Sequence, residues 1–346
     1  MKRLALILIA VLIVAAGAAG ALFYVRLHAP YRGYTASAQI VQVPPGSGSR
    51  GIGERLVEAG VIRDRYTFDA ALYLSGEGRR LKAGEYRFDR PMTPFEVLDK
   101  IARGDVYLVK ITFPEGLTVR EMAQEYQAHG LGTAAAFEAA AADPAPIAAL
   151  DPDAHSLEGY LFPETYSIEP DAPASRLVTA MVDRFEQEVG ADLRQQVIAR
   201  GLSLHQAITL ASIVEKETGN PAERPMVAAV YENRLRLGMP LQCDPTVIYA
   251  LEQVGRYDGS LHHDDLSFDS PYNTYRYPGL PPGPIASPGR ASIQAALAPA
   301  DVPYLYFVSR HDGTHVFART LAEHNRNVFK YQIEYFRQKR RAGGSQ

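Results

Sequence analysis

Hydrophobic and polar positions follow four different patterns along the chain. From Leu4 to Val25 the residues are uncharged and mostly apolar, after Lys2 and Arg3. At ~1.5 Å per residue, a helix of that length crosses the ~30 Å core of a bilayer. A secretory signal has a shorter apolar stretch, roughly 7–15 residues. The pattern therefore predicts a stub at 1–3 and a transmembrane helix at 4–25, with the bulk of the chain exported. The Ala/Gly-rich stretch Ala15–Ala21 leaves a cleaved signal as the alternative, and the absence of Cys there excludes lipoprotein processing.

Three segments then switch from period 2 to period 3.6 across a Pro/Gly turn, the signature of strand–turn–helix units. Gln39–Gly60 alternates at Ile40, Val41 and Val43, turns at Pro44-Pro45-Gly46, and continues with Ile52, Leu56 and Val57 on one face. Gly84–Gly104 repeats this with Tyr86/Phe88, then Phe95, Leu98 and Ile101. Val109–Gly130 repeats it with Val109/Ile111/Phe113, then Val119, Met122, Ala123 and Tyr126. Such units suit a small α+β module at 39–130.

Residues 131–153 are rich in Ala, Asp and Pro and read as a linker that can start as a helix at Thr133 and ends in Asp143-Pro144-Ala145-Pro146. Beyond it, Ala174–Gly201 is expected as one long amphipathic helix, followed by helices over Ser203–Thr218 and Glu223–Leu237. Gly255–Gly289 is dense in Gly, Pro, Tyr and Asn and reads as long loops, which are usually functional in a compact domain. Tyr304–Val308 and Thr314–Phe317 suit a hairpin around Asp312-Gly313. A second domain is thus expected at 154–335, before a basic tail at 336–346. The fold class is α+β, an N-terminal membrane helix followed by a small module and a mixed helical/β domain.

Composition narrows the function. Of 346 residues, 36 are Lys or Arg and 39 are Asp or Glu, a formal net charge of −3, so no basic excess supports a nucleic-acid partner. The single Cys, Cys243, excludes an internal disulfide and a Cys-rich zinc site. His262-His263-Asp264-Asp265 resembles a metal cluster, but adjacent residues rarely share one ion and no His-x-x-x-His accompanies them. No metal or other cofactor is expected. Phosphate-binding Gly loops and Gly-x-Ser-x-Gly are absent.

The strongest local anomaly is Ala211-Ser-Ile-Val-Glu-Lys-Glu-Thr-Gly-Asn-Pro221. On a helical wheel Glu217 falls beside Leu210, Ile213 and Val214, and Glu215 beside Leu204, Ile208 and Ala211. A helix that is apolar over most of its circumference is buried. Gly219 and Pro221 end it, so both carboxylates face the negative end of the helix dipole. Burial and dipole both favour the protonated form, which a general acid needs at neutral pH. The alternative is structural, a buried Glu paired with Arg224 or Arg234. The wheel does not separate Glu217 from Glu215. Glu158 in Glu158-Gly-Tyr-Leu-Phe-Pro-Glu-Thr-Tyr, Tyr272 and Asn273 in the loops, and Gln242, Asp244 and Thr246 upstream are candidates for lining a groove.

In order along the chain, Glu158-Gly-Tyr-Leu-Phe-Pro-Glu-Thr-Tyr, Ala211-Ser-Ile-Val-Glu-Lys-Glu-Thr, Asn233-Arg-Leu-Arg-Leu-Gly-Met, Leu241-Gln-Cys-Asp-Pro-Thr-Val-Ile-Tyr, Tyr272-Asn-Thr-Tyr, Gly279-Leu-Pro-Pro-Gly-Pro-Ile and Tyr304-Leu-Tyr-Phe-Val resemble the MltG (YceG-like) family of membrane-anchored endolytic murein transglycosylases. The resemblance implies one inner-membrane helix, a LysM-like module near 39–113 and a catalytic domain in the periplasm. It implies a lyase that cuts nascent peptidoglycan strands between N-acetylmuramic acid and N-acetylglucosamine, leaves 1,6-anhydro ends, ends strand elongation and works near the peptidoglycan synthesis proteins. It assigns the essential acid to Glu217 and leaves Glu215 a supporting role. Glu158, Gln242, Asp244, Thr246, Tyr272 and Asn273 are then expected to bind substrate. Cys243 departs from the Thr that many relatives carry there. A competing reading is a non-enzymatic, membrane-anchored peptidoglycan-binding module that recruits synthesis proteins.

Overall fold

The computed structural model describes residues 2–343. Met1 of the expected stub and residues 344–346 of the expected tail lie outside the described residues. The chain divides into two compact units, one running up to Val109 with Ser167–Pro170 added, the other comprising Lys110–Tyr166 and the chain from Asp171 onward.

The first unit begins with helix α1 (Lys2–His28), which absorbs the rest of the expected stub. Its Leu6–His28 stretch is long and apolar enough to cross a membrane, and its apolar side chains from Leu6 to Leu22 are exposed. Strands β1 (Gln39–Val43) and β2 (Gly84–Phe88) pair antiparallel, with Gln39 opposite Phe88 and Val43 opposite Gly84. Period-2 alternation puts Val41, Val43, Tyr86 and Phe88 on the buried face. Helices α2 (Ser49–Glu58), α3 (Arg65–Ser75) and α4 (Pro94–Arg103) cover that face with Ile52, Leu56, Phe68, Val97, Leu98 and Ile101. Each such side chain contributes about 1.5–3 kcal/mol of burial. Helix α4 starts at a Thr93/Glu96 capping box with Pro94 in its first turn. The sequence pattern missed α3, because Tyr66, Tyr73 and Leu74 on its exposed side blur the contrast between an apolar and a polar face. Its marker is Asp64, which accepts from the Thr67 N–H at 2.9 Å as N-cap.

In the second unit, β3 (Val109–Thr112) runs into α5 (Val119–Ala128), again through a capping box, Thr118/Glu121. Residues 131–153, expected to start as a helix and end as a linker, contain α6 (Ala134–Ala141) with Thr133 as its N-cap, and α6 packs on α5 and buries Phe137 and Ala141. Strand β4 (Thr165–Ile168) pairs with β3, and the Phe113 N–H donates to the Glu164 carbonyl at 3.0 Å.

The single helix expected over Ala174–Gly201 is instead two, α7 (Ala174–Glu188) and α8 (Ala191–Ala199). The backbone leaves helical geometry at Gly190, with φ −12° and ψ −179°. Both helices still bury their apolar stripe, so periodicity alone did not reveal the break. Helix α9 (Leu204–Glu217) is the centre of the unit. It starts at a Ser203/Gln206 capping box and buries every residue from Ala207 to Val214. Around it pack α8, α10 (Arg224–Arg236), α11 (Asp244–Gln253) and α12 (Arg290–Leu297). The hairpin β5 (Tyr306–Ser309) and β6 (His315–Ala318) pairs as its sequence suggests, Tyr306 opposite Ala318. Helix α13 (Leu321–Val328), a π-helical turn at Phe329–Glu334 and α14 (Tyr335–Gly343) complete the described chain.

Candidate active site

The last turn of α9 sends its two carboxylates to different surroundings. Glu215 turns inward and is fully engaged. One oxygen accepts from the Arg224 guanidinium at 3.2 Å and the other from the Gly289 N–H at 3.0 Å. Arg224 is itself buried and also lies 3.6 Å from Glu115. Burial and the Glu215 charge raise the pKa of Glu115, and Arg224 offsets part of that. The Glu115 carboxyl lies close over Gly289, where a Cβ would stand 1.8 Å from one of its oxygens and would push that side chain aside.

Glu217 instead opens on a cavity of about 230 Å³ lined by Tyr231, Arg234, Leu241, Gln242, Asp244, Tyr275, Phe307 and His324. Its Oε1 accepts the hydroxyl hydrogen of Tyr231, and no cation forms an ion pair with it among the described residues. Burial raises its pKa. Hydrogen bonds from Tyr231 and the Cys243 thiol pull the other way, and the nearby Asp244 charge adds to the rise. The Cys243 thiol, fully buried, is itself pushed well up and stays neutral.

The cavity walls are held by backbone-directed contacts. Arg234 donates to the carbonyls of Leu305 at 2.7 Å and Leu241 at 2.9 Å, tying α10 to the hairpin and to the strand-like approach to α11. The Leu241–Cys243 stretch enters α11 through Gln242, whose φ of 49° lies in the left-handed region. Non-glycine residues cost energy there and concentrate at functional sites. The Gln242 N–H donates to the Thr274 carbonyl at 3.1 Å. Asp244 accepts from the Tyr275 hydroxyl at 2.5 Å. Phe307 meets the Tyr231 ring edge-on at 6.0 Å, and His315 beside it pairs with buried Glu223 at 2.7 Å. Burial and Arg234 lower the pKa of His324, which keeps its ring neutral at neutral pH.

Gln242 and Asp244 thus share a cavity with Glu217. Glu158 does not. It lies in a separate cavity of about 240 Å³ with Tyr249, Arg120 and Ser156. Its carboxyl accepts from the Val119 N–H at 3.1 Å, at the start of α5, and from the Tyr249 hydroxyl at 3.3 Å, and burial pushes its pKa up to about 8. Tyr272 stacks obliquely on Tyr249, 4.9 Å between centroids. Thr246 and Asn273 are completely buried. Thr246 donates to the Cys243 carbonyl at 2.7 Å, and the Asn273 amide donates to the carbonyls of Leu266 and Phe268 at 3.0 and 2.7 Å, which fixes the loop that carries Tyr275. His262 caps a short 3₁₀ turn at His263–Ser267. No group of three or more potential ligands that could hold a metal occurs among the described residues.

Tyr231, Arg234, Tyr275, Phe307 and His324 line the cavity but were not singled out as site residues from the sequence. Tyr275 and Arg234 lie inside quoted motifs, and Tyr231 stands two residues before Asn233-Arg-Leu-Arg. For His324 the sequence offers no signal, because only the fold carries α13 to the hairpin.

Residues 41–330 match the sequence model of the YceG-like family, more than half of the chain. The chain belongs to the YceG-like family. It is 34% identical over 316 residues to the endolytic murein transglycosylase of Bacillus subtilis, covering 84% of each chain. It is 31% identical over 322 residues to the protein of that name from Streptococcus pneumoniae, where the match covers 84% of this chain and 58% of the relative. A crystal structure of a yceG-like protein from Listeria monocytogenes superposes with a TM-score of 0.58 at 33% identity, over 84% of this chain and 99% of that one. Glu217 and the other residues that line its cavity fall inside the matched residues.

Proposed function

We propose that this YceG-like chain is an endolytic murein transglycosylase in which Glu217 is the acid–base group. The observation that carries the assignment is the contrast in the last turn of α9. Glu215 is consumed by Arg224 and Gly289, while Glu217 faces an open cavity with a burial-raised pKa and neutral donors, the Tyr231 hydroxyl and the Cys243 thiol. A raised carboxyl pKa favours the protonated form, which protonation of a glycosidic oxygen requires.

The chemistry follows from one carboxyl. Glu217 donates its proton to the oxygen between N-acetylmuramic acid and N-acetylglucosamine, and that C–O bond breaks as the anomeric carbon becomes oxocarbenium-like. Hydrolases then need a second carboxylate for water or for covalent attack. Here the C6 hydroxyl of the same muramic acid closes on the anomeric carbon, and the Glu217 carboxylate takes its proton. The product is a 1,6-anhydro ring, and Glu217 is protonated again. Intramolecular attack has a high effective molarity, so no water needs to be positioned. Gln242 and Asp244 hold the sugar's polar groups in this reading, which their sharing of the cavity with Glu217 and Tyr275 supports.

The wider reading has three further parts. Helix α1 anchors the chain in the inner membrane with the catalytic unit outside it. The βα module near 39–113 is LysM-like. Cleavage of nascent strands ends their elongation beside the synthesis machinery. Product mass tests the core of the proposal. Transglycosylation yields fragments one water lighter than the reducing-ended products of hydrolysis. Reducing ends would establish a hydrolase, and murein binding without any fragments would establish a non-enzymatic module.

A further inference from the structure

The outer face of α3 carries aromatic side chains that the first unit's core does not use. Tyr66 and Tyr73, two turns apart on one side of the helix, are 80% and 86% exposed, while Phe68 and Ala71 on the other side are fully buried. Leu74, next to Tyr73, is also exposed. Large apolar groups lined up on a surface mark an interaction face.

The neighbourhood of α3 indicates what covers that face. Its N-cap, Asp64, lies 3.8 Å from Arg26 of α1. Leu27 of α1 is buried in the same core as Phe68. His28, next on α1, meets the Phe95 ring of α4 at 5.5 Å. A span of about 20 residues fills the hydrocarbon of a bilayer. If Leu6–Val25 fills it, Arg26 stands among the headgroups and the start of α3 stands beside it. Charge points the same way. Arg63, just before the cap, and Arg79, just after the helix, are exposed, and the Arg63 guanidinium lies over the Tyr31 ring, 4.5 Å from its centroid. Tyrosines flanked by arginines are the composition of a membrane–water interface, where rings sit at headgroup level and cations meet lipid phosphate.

We propose that α3 lies on the lipid surface, with Tyr66 and Tyr73 in the headgroup layer and Arg63 and Arg79 against lipid phosphates. This rests on the reading of α1 as a membrane span. The consequence is that the first unit is seated on the bilayer by two helices and does not swing on a single tether.

The chain contains no Trp, so a single substitution makes a clean reporter. Full-length Tyr66→Trp, Tyr73→Trp and Tyr24→Trp proteins are reconstituted in phosphatidylcholine/phosphatidylglycerol vesicles whose acyl chains carry bromine close to the headgroup. Tyr66→Trp and Tyr73→Trp should emit at shortened wavelength and lose about half of their fluorescence to bromine, as interfacial rings do. Water-like, unquenched emission from both, with Tyr24→Trp quenched, would overturn the docking and leave the anchor standing. An unquenched Tyr24→Trp would remove the membrane span and this proposal with it.

Discussion

The Tyr231 hydroxyl donates to Oε1 of Glu217, and this is the one hydrogen bond from a ring hydroxyl that the carboxyl receives among the described residues. The bond stabilises the carboxylate and so holds the Glu217 pKa below where burial alone would put it. Tyr231→Phe removes that donor and keeps the ring against Phe307. The pKa of Glu217 should rise, moving the alkaline limb of the pH–rate profile upward. The maximal rate should fall about 10- to 100-fold, because the carboxylate is then less well held for its role as base. An unshifted limb would mean that Tyr231 does not tune this carboxyl.

Glu215 should matter for stability before chemistry. Replacing it by Gln leaves Arg224 buried with only Glu115, 3.6 Å away, to balance it. Breaking one side of a buried pair costs roughly 3–5 kcal/mol, and the remaining carboxylate should keep the loss near the lower value. Denaturant midpoints of Glu215→Gln against wild type measure this, and activity per folded molecule should be reduced only partially.

Glu158 makes a pH prediction of definite sign. Its folded pKa of about 8 lies above its ordinary value of 4.5, so the folded protein holds the proton more tightly than the unfolded chain. Its stabilising contribution is complete below about 4.5 and is lost as pH rises through about 8. Glu158→Gln mimics the protonated form at every pH. Thermal melts should therefore show wild type losing stability relative to the variant across that window, with the two similar at its acid end. A pH-independent difference would show that the buried carboxyl does not titrate there.

Gly159 should not tolerate a side chain. Its φ is 86°, and a Cβ would approach a Pro284 carbon to 2.4 Å and Ile208 to 3.2 Å. Gly159→Ala should cost about 1–3 kcal/mol through strain and overpacking. The cost should appear as a lowered melting temperature, because Pro284 belongs to the Gly279–Gly289 loop that Glu215 and Ser212 hold against α9 through the N–H groups of Gly289 and Ile285.

Much of the scaffold is legible in the sequence. The α9 boundaries follow from Ser203, Gln206 and Gly219, and the β5–β6 hairpin from alternation around Asp312-Gly313. The break at Gly190 was not legible, because the apolar stripe continues through it. Neither was α3, whose outer face is aromatic where a soluble helix would be polar. At the site, the wheel put both glutamates of the motif in apolar surroundings and stopped there. Telling them apart needs the position of Arg224 and of the Gly289 N–H, which lie 9 and 74 residues away in sequence. Glu158 shows the opposite limit. Its aromatic neighbours in sequence suggest a sugar site, while its partners in space, Val119 and Tyr249, tie it to the first turn of α5 in a cavity that Glu217 does not line.

The central claim is that one carboxyl, Glu217, both protonates the glycosidic oxygen and accepts the C6 proton. The direct measurement compares wild type, Glu215→Gln and Glu217→Gln on purified murein, with release of anhydro-ended fragments followed by mass. The account predicts steady release by wild type, reduced release by Glu215→Gln, and none by folded Glu217→Gln. Unchanged release of anhydro-ended fragments by Glu217→Gln, or a greater loss in folded Glu215→Gln, would contradict it.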